Sequence, residues 1–284
     1  MKKILVPYDF SRYATNAMDF AGQIAKSING EIILLHVIDP PMGSSFNTYG
    51  EIELEDQTDK LYMLKLIEKT EETLNVVATN EKYESNKIDY KVVVGNPFES
   101  ISKEISDSDV DLIVMGTKGS TGLEEYLLGS NTEKVVRFAN CPVLSVPNKV
   151  NAESIKNIAF ATNLEDDQDF IVKELQMYQH LFGATLHLVW VNTFQVNQDL
   201  EMVKNKLNEL AERNELTKFE VHIYNAINAE RGIMHFAEWQ NMDMIALATH
   251  GHKGLAHLFI GSIAEDIVNQ AKRPVWTYST HPKA

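Results

Sequence analysis

The chain has 284 residues, of which 44% are hydrophobic and 23% are charged. This length and composition suit two ordinary globular domains and exclude a wholly disordered chain. The formal net charge of -14 argues against a general nucleic-acid binder, because such proteins need clustered Lys and Arg facing the phosphates. No apolar run approaches the roughly 18 residues that cross a bilayer, so we expect no membrane span.

The cysteine content and the N-terminal sequence indicate the compartment. Cys141 is the single cysteine, so the chain cannot form an internal disulfide. The opening MKKILVPYDF passes directly into a strand-like run without the apolar region of a signal peptide. Both features predict a cytoplasmic protein.

Short β-branched runs alternate with segments of helical period along the chain. In chain order the candidate strands are ILVPY, EIILLHVI, YKVVV, DLIVM and PVLSV, then IAFAT, TLHLVWV, FEVHIY, MIALAT and PVWTY. This alternation is typical of a parallel sheet covered by helices. We therefore predict an α/β fold of two tandem five-stranded parallel sheets flanked by helices, of the Rossmann-like type.

An internal repeat divides the chain into two modules. Residues 112–130, LIVMGTKGSTGLEEYLLGS, recur in altered form at 244–262 as MIALATHGHKGLAHLFIGS. The polar stretch PNKVNAES, from Pro147 to Ser154, separates the two copies. The repeat predicts a first module over residues 1–147 and a second over residues 153–284.

One segment of the first half has no counterpart in the second. It runs from Pro41 to Asp56, and it contains turn residues and acids but little apolar content. Such a surface loop could be a lid over a ligand, a partner-binding segment or a neutral insertion.

A composite glycine pattern follows the fourth candidate strand. Gly116, Gly119 and Gly129 precede Ser130, at the carboxyl end of a parallel strand, where open α/β sheets bind ligands. Glycines let backbone N–H groups approach a ligand, and a helix beginning near Ser130 directs its free amides and positive dipole end to the same place. Phosphate suits such a place. Ser130 and Glu133 also match a capping box, whose role would be helix initiation alone.

This glycine pattern, the opening ILVPYDFS and the runs LLHVID and CPVLSVP resemble the universal stress protein family. The resemblance covers nearly all of the first half and, more weakly, the second. It implies the adenine-nucleotide alpha hydrolase-like fold, and it implies ATP binding by the first module, because the glycine pattern marks the family members that bind ATP. By position it implies phosphate contacts from Gly116, Gly119, Gly129, Ser130 and Asn131.

The resemblance also implies contacts for the rest of the nucleotide. Asp9 would accept hydrogen bonds from the ribose hydroxyls, although it could instead cap the following helix. Val37 would meet adenine through its backbone. Lys118 could neutralise a phosphate or be solvated, and Thr117 could donate to phosphate or stabilise the loop. We expect Mg²⁺ to accompany ATP, because the negative net charge opposes an anionic ligand at long range.

The second half departs from the glycine and ribose pattern. Ala248 stands for the first glycine, Asn163 for Asp9 and Trp190 for Val37. We expect a degenerate site whose role is either weak nucleotide binding or core and interface formation.

Three histidines of the second half invite a metal hypothesis. They are His250, His252 and His257. We predict no metal site there, because no cysteine or carboxylate set with ligand spacing accompanies them.

We expect an ATP-binding regulator of stress physiology that acts through nucleotide-dependent conformation or partner binding. The P-loop pattern is absent and no general base is identifiable, so we assign no catalytic residue and expect at most slow hydrolysis. The alternatives are a slow ATPase or nucleotidyl-transfer enzyme and a scaffold with vestigial sites.

The expected partners are ATP or another adenine nucleotide and unidentified proteins. The resemblance implies that modules associate through their last strands, so PVLSV and PVWTY are predicted to pair or lie adjacent within the chain, which buries edges that would otherwise be exposed. A further homodimer of chains stays open.

Overall fold

A computed structural model describes residues 2–40, 45–46, 52–53, 57–119, 129–164, 168–193, 199–249 and 258–279. Most of the segment from Pro41 to Asp56 lies outside these ranges. The three histidines at 250, 252 and 257 also lie outside them, so the prediction made for them is not addressed by the structure.

Within each module the described residues form strands and α-helices that alternate, apart from one short hairpin in the first module. The strands are β1 (Lys3–Pro7), β2 (Glu31–Ile38), β3 (Ser45–Phe46), β4 (Ile52–Glu53), β5 (Lys87–Val94), β6 (Leu112–Gly116), β7 (Val143–Val146), β8 (Asn157–Ala161), β9 (Thr185–Thr193), β10 (Phe219–Ala226), β11 (Met244–Thr249) and β12 (Val275–Ser279). The helices are α1 (Arg12–Ile28), α2 (Gln57–Ala78), α3 (Pro97–Asp107), α4 (Ser130–Phe138), α5 (Asp169–Phe182), α6 (Leu200–Arg213), α7 (Ala229–Trp239) and α8 (Leu258–Gln270).

All strands except β3 and β4 join one ten-stranded sheet. Its order is β10-β9-β8-β11-β12-β7-β6-β1-β2-β5, so each module contributes five neighbouring strands. Pairing within each module is parallel, and the junction between β7 and β12 is antiparallel, with Leu144 opposite Trp276. The predicted pairing of the last strands is confirmed, and it joins the two predicted sheets into one.

Helices cover both faces of the sheet. Buried residues of α1, α2, α5 and α6 form one hydrophobic core, and those of α3, α4, α7 and α8 form the other. Strand residues alternate between them: Ile4 and Val6 belong to the first core and Leu5 to the second. The result is the three-layer doubly wound arrangement, in which ligands bind outside the carboxyl ends of the strands.

Candidate functional site

A cavity of about 310 Å³ lies at the carboxyl ends of β1, β2 and β6, beside the start of α4. This volume is at the lower end of the range of ligand pockets, about 300–1,000 Å³. Eight of the nine residues predicted from sequence line it, and the ninth, Thr117, does not. The eight are Asp9, Val37, Gly116, Lys118, Gly119, Gly129, Ser130 and Asn131.

Asp9 lies in the turn between β1 and α1. Its Oδ1 accepts a hydrogen bond from Ser11 N at 3.0 Å. The helix cap is Ser11, whose side chain accepts from Ala14 N, so the alternative of Asp9 as the cap is wrong. The next residue, Phe10, has a φ of 62°, a left-handed conformation that costs a bulky residue roughly 1–2 kcal/mol. Strain of this kind concentrates at functional sites.

The backbone of Val37 faces the cavity side of β2. Leu35 O accepts from Tyr8 N at 2.8 Å, so the backbone groups of Leu35 point toward β1. Because strand residues two apart point the same way, the N–H and C=O of Val37 also point toward β1, beyond its last residue, Pro7. A donor and an acceptor side by side match the edge of a purine.

The start of α4 presents backbone amides to the same cavity. Its cap residue is Gly129, which has extended backbone angles and no side chain to accept from the first turn. Ser130 is the first helical residue, so the capping box predicted from Ser130 and Glu133 is wrong. Asn131, the next residue, also lines the cavity. A helix start with this geometry is an anion site in many α/β proteins.

The three predicted glycines differ in what they permit. A Cβ on Gly116 would lie 2.7 Å from Tyr13 Cβ and 2.8 Å from Tyr13 C, so a glycine there lets α1 pack against β6. A Cβ on Gly119 would lie 3.4 Å from Asp9 Oδ2, and a Cβ on Gly129 would lie 3.7 Å from Gly119 N. A side chain at Gly119 or Gly129 would therefore make only ordinary van der Waals contacts with the cavity lining. A side chain at Gly116 would clash with α1, so this glycine is also required for packing.

Two side chains of the loop after β6 have distinct positions. Thr117 is buried, at 3% exposure, and its carbonyl accepts from Gly129 N at 2.9 Å. This position favours the alternative in which Thr117 stabilises the loop over the one in which its side chain contacts phosphate. Lys118 lines the cavity with its Nζ 5.9 Å from the centre of the Tyr13 ring, within the range of a cation–π contact.

Sequence reasoning did not single out several other lining residues. His36 Nδ1 lies 2.7 Å from Tyr8 O, and since a carbonyl only accepts, Nδ1–H is the donor. Thr132 Oγ1 donates to Gly116 O at 3.0 Å and ties α4 to the end of β6. Asp39 adds a second carboxylate to the lining. Their signal in the sequence is only their closeness to strand ends.

The second module repeats the turn but changes its polar contacts. Leu164 has a φ of 60°, as Phe10 has 62°. Asn163 follows β8 as Asp9 follows β1, and its Oδ1 accepts from Gln168 Nε2 at 3.2 Å. In the second module the Asn163 amide, which accepts a hydrogen bond from Gln168, therefore stands in the place of the Asp9 carboxylate.

The predicted equivalence of Trp190 and Val37 is wrong by one residue. Thr162 N donates to Val189 O as Tyr8 N donates to Leu35 O, so Val191 is the counterpart of Val37. A shift of one residue reverses the face on which a strand side chain lies. The Trp190 indole accordingly belongs to the core beneath α5 and α6.

The fold and the cavity define a class of protein: tandem doubly wound α/β modules with a glycine-lined site at the carboxyl edge of the first. A sequence model of the universal stress protein family matches residues 1–147 and again residues 154–279. The chain belongs to the universal stress protein family, in its two-module form.

Relatives agree with this assignment. A universal stress protein of Synechocystis is 27% identical and covers 98% of this chain and 100% of its own length. One of Methanocaldococcus jannaschii is 38% identical over 52% of this chain and 96% of its own length. The crystal structure of a universal stress protein from Archaeoglobus fulgidus has a TM-score of 0.76 at 22% identity and covers 98% of both chains, which shows the shared fold. Among the helices of the described residues, none is long and apolar enough to cross a membrane.

Proposed function

We propose that the first module binds ATP with Mg²⁺, and that the protein is a cytoplasmic stress-response regulator acting through nucleotide-dependent conformation or partner binding. The observation that carries the proposal is the convergence of an uncapped helix start, two glycines and a ribose-type carboxylate on one cavity. Family membership supports the stress-response role. The proposed cytoplasmic location rests on the single cysteine, Cys141, which is buried and forms no disulfide in the chain.

The phosphates fit the start of α4. The first backbone amides of a helix have no partner within the helix, and the positive end of its dipole adds to their attraction for anions. Gly119 and Gly129 keep Cβ atoms away from this point, and the Ser130 hydroxyl is exposed beside them. Lys118 supplies a positive charge to the lining.

The nucleoside fits the other side of the cavity. Asp9 Oδ2 is directed toward Gly119, and a carboxylate binds a pair of ribose hydroxyls more strongly than a neutral acceptor does. The Val37 N–H and C=O match the donor and acceptor of the adenine edge, while Ile101 and Met115 add apolar lining. Together the three parts cover base, sugar and phosphate.

The charge of the site explains the expected cation. Asp9 and Asp39 both line the cavity, and the chain carries a net charge of -14. Both carboxylates would repel a triphosphate, and a Mg²⁺ ion bound with it would offset part of its negative charge.

We propose regulation in place of rapid turnover. Two of the titratable groups of the lining already hold the local backbone: Asp9 Oδ1 accepts from Ser11 N, and His36 Nδ1 donates to Tyr8 O. The sequence also has no P-loop pattern, so we expect slow hydrolysis of bound ATP, although Asp39 adds a further carboxylate to the lining.

Equilibrium dialysis of the full chain with ATP, with and without Mg²⁺, tests the proposal. Asp9→Asn should weaken ATP binding by about 10–100-fold, because hydrogen bonds to a charged acceptor contribute about 1.5–3 kcal/mol. Asp107→Asn makes the same charge change at an exposed position at the end of α3, away from the cavity, and should leave the affinity unchanged. Equal affinity in both variants, or no ATP binding with Mg²⁺ present, contradicts the proposal.

A further inference from the structure

A second group of ligating side chains lies in the other module, at the opposite end of its strands. His187 is the third residue of β9, and Glu220 and His222 are the second and fourth residues of β10. The parallel ladder places Glu220 beside His187 and His222 beside Val189. Because strand residues two apart share a face, Glu220 and His222 lie on the same face as His187. Sheet register alone brings the three together.

Three atoms of this cluster converge with the spacing of metal ligands. His187 Nδ1 and His222 Nε2 are 3.0 Å apart. Glu220 Oε2 lies 3.6 Å from the first of these atoms and 3.5 Å from the second. A tetrahedral zinc ion at 2.0–2.1 Å from its ligands separates each pair by about 3.3 Å. A single ion can therefore reach all three atoms with shifts of a few tenths of an ångström.

The ring orientations are held from outside the cluster. His187 Nε2 lies 3.2 Å from Asn157 Oδ1, and an amide oxygen only accepts, so Nε2–H donates and Nδ1 carries the lone pair that faces the cluster. Asn157 N donates in turn to Asp243 Oδ2 at 2.9 Å. The His222 ring packs on Phe236 with centroids 4.9 Å apart. Metal-ligating histidines usually donate a hydrogen bond from their second ring nitrogen, as His187 does to Asn157.

Burial of the cluster suits both metal binding and metal entry. His187 is buried, His222 is partly exposed, and the Glu220 side chain is 60% exposed. Burial lowers the pKa of both imidazoles, which keeps them in the neutral form that binds metal. The exposed Glu220 leaves a path from solvent.

We propose that His187, His222 and Glu220 bind one divalent transition-metal ion, with Zn²⁺ as the ion that their geometry fits. Two imidazoles and one carboxylate select transition metals over Mg²⁺ and Ca²⁺, which prefer sets of oxygen ligands. Three protein ligands leave a fourth position for water or for a group on a partner. The ion cross-links β9 to β10, which is one of the two edge strands of the ten-stranded sheet.

The test is Zn²⁺ binding to the full chain, measured by calorimetry, with Co²⁺ absorption as a report of tetrahedral geometry. The parent should bind one Zn²⁺ at this cluster. His222→Gln and Glu220→Gln should each weaken binding by at least about 10-fold, since loss of even an outer partner of a metal ligand costs 10–100-fold. Both positions are partly or largely exposed, so both variants should fold, and circular dichroism checks this.

Two controls distinguish this site from others in the chain. His235→Gln changes an exposed histidine of α7 and should leave Zn²⁺ affinity unchanged. A variant with His250, His252 and His257 all changed to Gln should retain the site with its tetrahedral Co²⁺ spectrum. The proposal is overturned if the parent binds no Zn²⁺, if His222→Gln and Glu220→Gln bind like the parent, or if the triple variant alone loses the ion.

Discussion

Replacing Gly129 with aspartate separates two properties of the start of α4: the stability of the helix and the proposed binding of phosphate. Gly129 has φ −61° and ψ 131°, the extended geometry of a cap residue, and a Cβ there meets its neighbours at 3.5 Å or more. Aspartate is a preferred cap, so we expect Gly129→Asp to leave the free energy of unfolding unchanged or to raise it by up to about 1 kcal/mol. The same carboxylate occupies the proposed phosphate position.

The loss of ATP affinity can be estimated from Coulomb's law. Two unit charges 4 Å apart interact by about 4 kcal/mol at an effective dielectric constant of 20, which corresponds to roughly a thousandfold weaker binding. Gly129→Asn adds a cap of the same shape without the charge. The Asp and Asn variants should therefore differ strongly in ATP affinity but little in stability.

Calorimetric titration with ATP and Mg²⁺ and urea unfolding of the same samples give both quantities. The difference between the two variants should shrink as salt is added, because ions screen a charge near the surface. If Gly129→Asp binds ATP as tightly as Gly129→Asn, the phosphates do not lie at the start of α4 and the reasoning fails.

Three further predictions concern stability, each measured by urea unfolding. Gly116→Ala should lower the free energy of unfolding by about 1–3 kcal/mol because the new Cβ meets the backbone of α1, whereas Gly119→Ala should have little effect. Equal stability of the two variants would refute the packing role of Gly116. Trp276→Ala empties a fully buried position beside the junction of the modules and should cost about 3–5 kcal/mol; a loss below 1 kcal/mol would contradict its place in the core. Tyr83→Phe removes a hydrogen bond to the buried Asp19 and should cost about 1–3 kcal/mol. Burial raises the pKa of Tyr83, so the contribution of the Tyr83 hydroxyl to stability is complete below about pH 10 and is lost as the pH rises further. Tyr83→Phe should therefore lose less stability than the parent at alkaline pH. An equal loss of stability in both proteins would contradict this prediction.

The sequence was sufficient for the fold because its signals are local and repeated. Apolar runs at strand length, helical periods between them and a second copy of the pattern all indicate the same architecture. The pairing of β7 with β12 was implied by the resemblance to the universal stress protein family, in which modules associate through their last strands, and it covers strand edges that would otherwise be exposed. Their antiparallel direction was not readable, because it depends on how two complete modules meet.

The sequence indicated which loop and strand ends line the cavity, but it did not indicate how their residues pack. Glycine spacing located the loop, but it could not tell that Gly116 is needed for α1 or that the Thr117 side chain points inward. These facts depend on contacts between segments far apart in sequence. The exchange of Trp190 for Val191 arose from matching Gly30 with Gly183. The structure makes Gly183, the residue that ends α5, the counterpart of Asn29, which ends α1, so the match was displaced by one residue.

The cluster of His187, Glu220 and His222 shows a different limit. The spacing of Glu220 and His222 places them on one face of any strand, and this was readable. His187 joins them only through the register between β9 and β10. A ligand set assembled across a ladder has no fixed spacing along the chain.

The antiparallel junction reverses one module relative to the other. The carboxyl ends of β1, β2 and β6 consequently share a border of the sheet with the amino ends of β9 and β10. From β1 to β9 there are six inter-strand steps, or about 29 Å at 4.8 Å per step. The glycine-lined cavity and the histidine pair thus lie along one edge of the sheet, whereas Asn163, which follows the carboxyl end of β8, lies along the opposite edge.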